Sequence, residues 1–200
     1  MFAFKKCLLE ECNEYAASGD IYCFHHSNKK DVILNELKEK LISDCDILDV
    51  ALNGASFKNL KIKNKKIIGS TFSFNSFENC TFENVTMINC FFDFALFQHC
   101  TFISCSIRYS NFSGAAFNVC EIHDSTIIHD NFNGTNITQS DFSENDFYYS
   151  SFIMSQLINV KMEDCNLKRS DFSASIIQGI SFKYSNEEEA YFKKTKDWTI

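Results

Sequence analysis

No proline occurs anywhere in the 200 residues. Proline lacks a backbone N–H and is kept out of sheet interiors, so its absence suits a chain whose backbone is mostly paired. No apolar run approaches the ~20 residues that a membrane-spanning helix needs. The opening MFAFKKCLLEEC lacks the long apolar stretch of a secretory signal. Positive charge is in deficit, with 19 Lys and Arg against 26 Asp and Glu and a formal net charge of −7. That balance argues against a general nucleic-acid binder and against a surface that seeks anionic lipid. Catalytic signatures are missing as well: there is no G-x-S-x-G, Walker loop or dinucleotide fingerprint. The expectation is a non-enzymatic, cytoplasmic protein, and in that reducing compartment its ten cysteines are not a disulfide framework.

What is present is a repeat. Stepping five residues at a time from Leu52 to Phe182 meets 27 large apolar residues in 27 steps, and 15 of the 22 Phe lie in this column. Two residues before each lies a second column of mostly Ala, Ser, Cys, Thr or Val, with few exceptions, such as Leu60, Lys65, Asn75, Asp130 and Asn145. Ile47 with Cys45 adds one earlier step, giving 28 quintets. A period of five fits neither a helix nor a simple strand. It requires a chain that turns after each short extended piece, so that four pieces close a square coil of 20 residues. Coils stacked at the strand spacing of ~4.8 Å place the large column on the axis, the small column beside it, and the remaining residues outward. Cys80, Cys90, Cys100, Cys105, Cys120 and Cys165 fall in the small column, where a thiol acts as a compact hydrophobe; a metal or redox ladder is the alternative.

Segments such as STFSFNSFENCTFENVTMINCFFDFALFQHC and SDFSENDFYYSSF resemble the pentapeptide-repeat family. The resemblance implies an all-β solenoid, a right-handed quadrilateral β-helix of about seven coils, roughly 34 Å long at the strand spacing. The β-helix is expected over residues 45–184, behind a metal-binding segment at 1–29 and a capping helix within 30–44. In DVILNELKEKLIS, Val32, Ile33, Leu37 and Leu41 recur at helical intervals. At the far end Ser185 and Glu188 have capping-box spacing. A short helix over 186–195 is therefore expected within a C-terminal cap and tail, 185–200. The other expected role of this tail, with Tyr191, Phe192 and Trp198, is contact with a second copy in a homodimer.

Near the N-terminus Cys7, Cys12, Cys23 and His26 form C-x4-C-x10-C-x2-H. Four soft or borderline ligands in so short a segment suit a closed structural zinc site, whose metal supplies the folding energy that a small core lacks. The segment also resembles short CCCH zinc motifs. Three reduced cysteines beside two surface histidines are the alternative, and His25 is the weaker ligand. A site closed in this way has no open position for catalysis.

Outward residues sort into faces by their position in the 20-residue coil. One face carries Glu83, Glu121, Asp124, Asp141 and Glu144, and residues 67–160 hold nine acids against one base, Arg108. Lys58, Lys61, Lys63, Lys65 and Lys66 gather in the first full coil. A second face shows Ile88, Ile128 and Tyr148 beside Tyr109 and Tyr149, and Phe74 and Phe94 form a separate pair. His99, His123 and His129 point outward without a catalytic arrangement. Two functions fit. The first is a scaffold or interaction protein with an unidentified protein partner, binding neither membrane nor nucleic acid directly. The second is a DNA-mimic modulator of a type II topoisomerase, a use that the family resemblance brings with it and for which no residue motif transfers.

Overall fold

A computed structural model describes residues 4–43 and 46–197; Cys45 and Trp198 lie outside the described residues. The five-residue column becomes the axis of a β-solenoid of about seven turns. Every column residue from Ile47 to Ile177 is buried. The four sides are named here by the column residue that opens each. The Ile47 side carries a five-stranded parallel sheet, the Phe57 side an eight-stranded one and the Ile62 side a four-stranded one. Isolated parallel bridges such as Ala51–Thr71 and Thr71–Phe91 join the Leu52 side. Partners are twenty residues apart throughout, as in Phe57–Phe77 and Ile107–Ile127.

That register stacks identical positions ring on ring. Phe57, Phe77, Phe97 and Phe117 lie 5.1, 5.0 and 4.7 Å apart by centroid, nearly parallel. Phe92, Phe112, Phe132, Phe152 and Phe172 repeat this on the Leu52 side at 4.8–5.1 Å. Each buried ring contributes roughly 1.5–3 kcal/mol of transfer free energy. The chain turns because the second residue after each core residue is left-handed, from Asp49 and Asn59 through Tyr184 to Lys194.

The small column has a hydrogen-bond rule. Many of its side chains donate to the carbonyl 23 residues earlier, as Cys90 does to Ile67 (3.1 Å), Ser150 to Ile127 (2.8 Å) and Asn145 to Ile122 (2.6 Å), while Ser110, Ser125 and Thr135 donate to a carbonyl two or three residues back. The inward cysteines fill this role, and burial pushes the thiols of Cys90, Cys105 and Cys165 up to about 11. Thiols held protonated in this way are unreactive. Lys65, an exception in the small column, is only 3% exposed. Its ammonium donates to the carbonyls of Lys40 (2.6 Å) and Ser43 (2.8 Å). Those groups end helix α1, Lys30–Ile42, so a cation closes the negative end of the helix dipole. The helix buries Ile33, Leu37 and Leu41, whereas Val32 is exposed.

The expected C-terminal helix is corrected. The segment holds only a three-residue 3-10 turn at Glu187–Glu189. The chain then rejoins the coil: Tyr191 bridges to Asp171, Phe192 stacks on Phe172 at 5.1 Å, and Lys196–Asp197 pairs with the preceding strand. Ser185 is not a helix cap. Its hydroxyl donates to Met162 O at 2.7 Å and accepts the Cys165 N–H at 2.8 Å, as a small-column residue does. Glu187 occupies the core position of one quintet, and this single polar step hid the turn that follows it.

Candidate metal centre and aromatic corner

The N-terminal segment is built around a short antiparallel contact. Lys6 bridges to Tyr15, the Cys7 N–H donates to Glu14 O at 2.9 Å, and Cys12 lies in the intervening turn. Beyond it the N–H groups of His26 and Ser27 return to the Cys23 carbonyl at 3.0 and 2.9 Å, which brings His26 over Cys23. Asp20 holds this loop by accepting the Ser27 hydroxyl at 2.5 Å and the Ile21 N–H at 2.7 Å. The Ser27 hydroxyl draws the Asp20 carboxyl below its ordinary value. The segment docks on the rod through Ser18, whose N–H donates to Ala51 O at 2.8 Å and whose hydroxyl accepts the Ala51 N–H at 2.9 Å. Ala17 enters the main core. The open edge of the first coil is covered at this point.

The ligand atoms of Cys7, Cys12, Cys23 and His26 all lie within 4.8 Å of one another. Cys12 and Cys23 sulfurs are 3.9 Å apart, and His26 Nδ1 is 3.3 Å from Cys23 Sγ and 3.6 Å from Cys7 Sγ. A tetrahedral ion with metal–S of about 2.3 Å and metal–N of about 2.0–2.1 Å requires S–S edges of roughly 3.8 Å and S–N edges of roughly 3.6 Å. The donor set therefore fits a bound metal ion. Burial opposes ionisation of Cys7, yet the Cys23 and Leu9 backbone groups, then His26 and Cys12, draw its thiol down to about 6. That favours the thiolate a metal takes. Burial raises the Cys23 thiol.

The surface residues expected to meet a partner fall on two sides. On the Ile62 side Glu121, Asp124 and Glu144 are exposed. Glu83 is paired with Lys63, and Asp141 lies 3.6 Å from Lys161. Asp130, one of the nine central acids, is buried, so it adds nothing to the surface. The first-coil lysines are largely engaged: Lys58 pairs with Glu78 at 2.5 Å, Lys63 with Glu83, and Lys65 is inside.

On the Ile47 side Ile88, Ile128 and Tyr148 are half-buried. At the next corner Tyr109 and Tyr149 are 59% and 52% exposed. Between them stands His129, one coil from each. Its ring is 5.3 Å from Tyr109, nearly parallel, and 5.1 Å from Tyr149. Tyr148 meets His129 edge-on at 5.9 Å, and the Arg169 guanidinium lies 6.0 Å from the Tyr149 centroid. All four corner residues, Tyr109, His129, Tyr149 and Arg169, have left-handed backbones. Sequence reasoning placed His129 outward but did not join it to the tyrosines, and it passed over Arg169. The signal was available, since 109, 129, 149 and 169 share one position in the coil. Phe74 and Phe94 form a second exposed stack at 5.3 Å.

Among the described residues no helix is long and apolar enough to cross a membrane. Residues 76–114 and 131–164 match the family model described as pentapeptide repeats, in eight copies. Among curated proteins no sequence matches the chain. Among solved structures, the chain is similar to HetL, a pentapeptide repeat protein involved in heterocyst differentiation regulation from the cyanobacterium Nostoc sp. strain PCC 7120. The identity is 12% over 82% of this chain and 90% of that one, with a TM-score of 0.41. It is also similar to QnrB1, a plasmid-mediated fluoroquinolone resistance protein, at 14% identity over 74% and 93% of the two chains with a TM-score of 0.39.

Proposed function

We propose that this chain, which carries pentapeptide repeats, is a rigid, non-catalytic interaction protein. A structural zinc ion on Cys7, Cys12, Cys23 and His26 secures the start of the rod, and the Tyr109–Arg169 corner receives a protein partner. Three thiols and one imidazole suit zinc by ligand softness, and with four protein donors the ion has a structural role. The observation that carries the partner reading is the ladder itself. The left-handed position closes each turn of the coil, and Asn and Gly recur there. Here rings stand exposed on three successive coils, stacked 5.3 and 5.1 Å apart, and a contiguous exposed ladder of this kind marks a partner surface. Tyr and Arg are also the residues that anchor interfaces.

The partner's chemistry follows from charge. Arg108 and Arg169 form no ion pair among the described residues, whereas Lys168 is held by Glu189 at 2.8 Å. The ladder runs about 14 Å along the rod at the strand spacing, an apolar strip with a guanidinium near each end. It fits a protein segment that alternates acidic and apolar side chains. The duplex-mimic reading has weaker support, because lysines already neutralise Glu83 and Asp141 on the Ile62 side.

The test uses a fluorescent twelve-residue peptide alternating Glu and Leu, its Lys–Leu counterpart, and a short DNA duplex. Anisotropy should show salt-dependent binding of the acidic peptide alone, weakened about tenfold or more when Tyr149→Ala and Arg169→Ala are combined, each tenfold corresponding to ~1.4 kcal/mol. Equal binding of the Lys peptide, binding of the duplex, or an unaffected double variant would contradict the assignment.

A further inference from the structure

Asp130 is 2% exposed and lies in the small inward column. Its column, at the start of the Leu52 side, is a chain of hydroxyls and thiols with one carboxyl inserted. The Cys90 N–H donates to Ser110 Oγ at 3.1 Å, the Ser110 N–H to Asp130 Oδ1 at 2.5 Å, and the Asp130 N–H to Ser150 Oγ at 3.1 Å. Each member thus accepts an N–H from the coil before. The others donate as well: Cys90 to Ile67 O, Ser110 to Arg108 O and Ser150 to Ile127 O. A carboxylate cannot donate. Asp130 Oδ2 is, among the described residues, the buried side-chain oxygen or nitrogen left without a partner. An orphaned buried polar atom calls for a physical explanation.

The same fold shows what fits there. Asn75 and Asn145 occupy equivalent positions at other corners. Their Oδ1 atoms accept the N–H groups of Ala55 (2.7 Å) and Ser125 (2.8 Å), and their Nδ2 groups donate to the carbonyls 23 residues back, Leu52 (2.9 Å) and Ile122 (2.6 Å). Asp130 reproduces the accepting half with Oδ1, and its Oδ2 takes the place of the amide donor. The carbonyl that the 23-residue rule assigns to it is that of Ile107. A carboxylic acid is isosteric with the primary amide and supplies one O–H donor.

We infer that Asp130 is held in the folded rod as a neutral carboxylic acid, its Oδ2–H donating to the Ile107 carbonyl, so that ionisation of this one group makes the middle coils a pH-sensitive element. The charged neighbours agree. Burial is the largest influence and raises the group to about 8. The Ser110 N–H and Arg108 oppose that rise. Arg108 is exposed and turned to Ser106 Oγ at 3.2 Å, where solvent screens it. The buried Cys90 thiol is itself held protonated, and exposed His129 precedes Asp130 in the chain.

The native state therefore keeps a proton that the unfolded chain releases near its ordinary value of about 4. Between that value and about 8, stability falls as pH rises. The folding equilibrium constant drops about tenfold per pH unit, and the loss ends once the native carboxyl ionises. Asp130→Asn should supply the amide found at Asn75 and Asn145 and remove this slope. Zinc-loaded wild type and Asp130→Asn are unfolded in urea from pH 6 to 9. The variant should be more stable, its advantage growing about tenfold in equilibrium constant per unit from pH 6 and levelling above pH 8. A constant offset, or a variant less stable at pH 8, would overturn the inference. Should Asp130→Asn fail to fold, the 13C chemical shift of the Asp130 carboxyl in wild type decides. A midpoint near 8 supports the inference, and one near 4 refutes it.

Discussion

Two kinds of aromatic residue occupy this chain, and their backbones tell them apart. Phe112 lies on the axis with Phe92 and Phe132 rings 5.1 and 4.9 Å away. Three positions earlier Tyr109 is left-handed at φ 55° and exposed. Cutting Phe112 to Ala should cost about 3–5 kcal/mol, because the rod cannot collapse around a missing ring. Tyr109→Asn should change stability by no more than about 1 kcal/mol, since Asn tolerates the left-handed region and the loss is one exposed stacking contact. Urea unfolding of the two variants at one pH checks this. A Tyr109→Asn loss as large as that of Phe112→Ala would mean that the corner is structural. The same distinction explains what the sequence hides at this scale. That Lys65 and Asp130 break the small column is visible in the letters, but their explanations are not. Lys65 answers carbonyls of α1, some 22–25 residues earlier, and Asp130 answers a donor rule that appears only once coils are stacked.

The elements at the N-terminus act as one cap. The segment with the Cys7, Cys12, Cys23 and His26 cluster covers Ala51 through Ser18, and α1 buries Ile33, Leu37 and Leu41 and is closed by Lys65. On the proposed reading, a segment of this size folds on a bound metal. Protein purified without chelator is expected to carry one zinc per chain by elemental analysis. Cys23→Ala, or removal of zinc by chelation, should free the Ser18–Ala51 contact. Amide exchange should then accelerate in residues 5–27 and at the first coil, leaving the coils around Phe112 protected. Metal-free protein with unchanged exchange in that segment would remove zinc from the account. The convergence of Cys7, Cys12, Cys23 and His26 was legible because all four residues lie within twenty positions and their types and spacing suit one cluster. The C-terminal turn was not: Ser185 and Glu188 mimic a helix start, and only the resumed pairing at Tyr191 and Phe192 shows otherwise.

For the whole molecule, the five-residue period specified the fold because only stacked coils place every column residue from Ile47 to Ile177 in one buried axis. The period also assigns outward residues to sides, which is how Tyr109, Tyr148 and Tyr149 were found together. It does not say which side works. The acidic Ile62 side is partly neutralised by Lys63 and Lys161, whereas the Tyr109–Arg169 corner combines exposed, stacked rings with two arginines that form no ion pair among the described residues. The direct test is a photo-cross-linking scan of the full chain. A benzophenone amino acid replaces Tyr109 or Tyr149 on one side, and Glu121, Asp141 or Glu144 on the other, in cells that express the protein. The account predicts discrete partner adducts from the tyrosine positions and none from the acidic ones. Adducts confined to Glu121, Asp141 and Glu144 would contradict it.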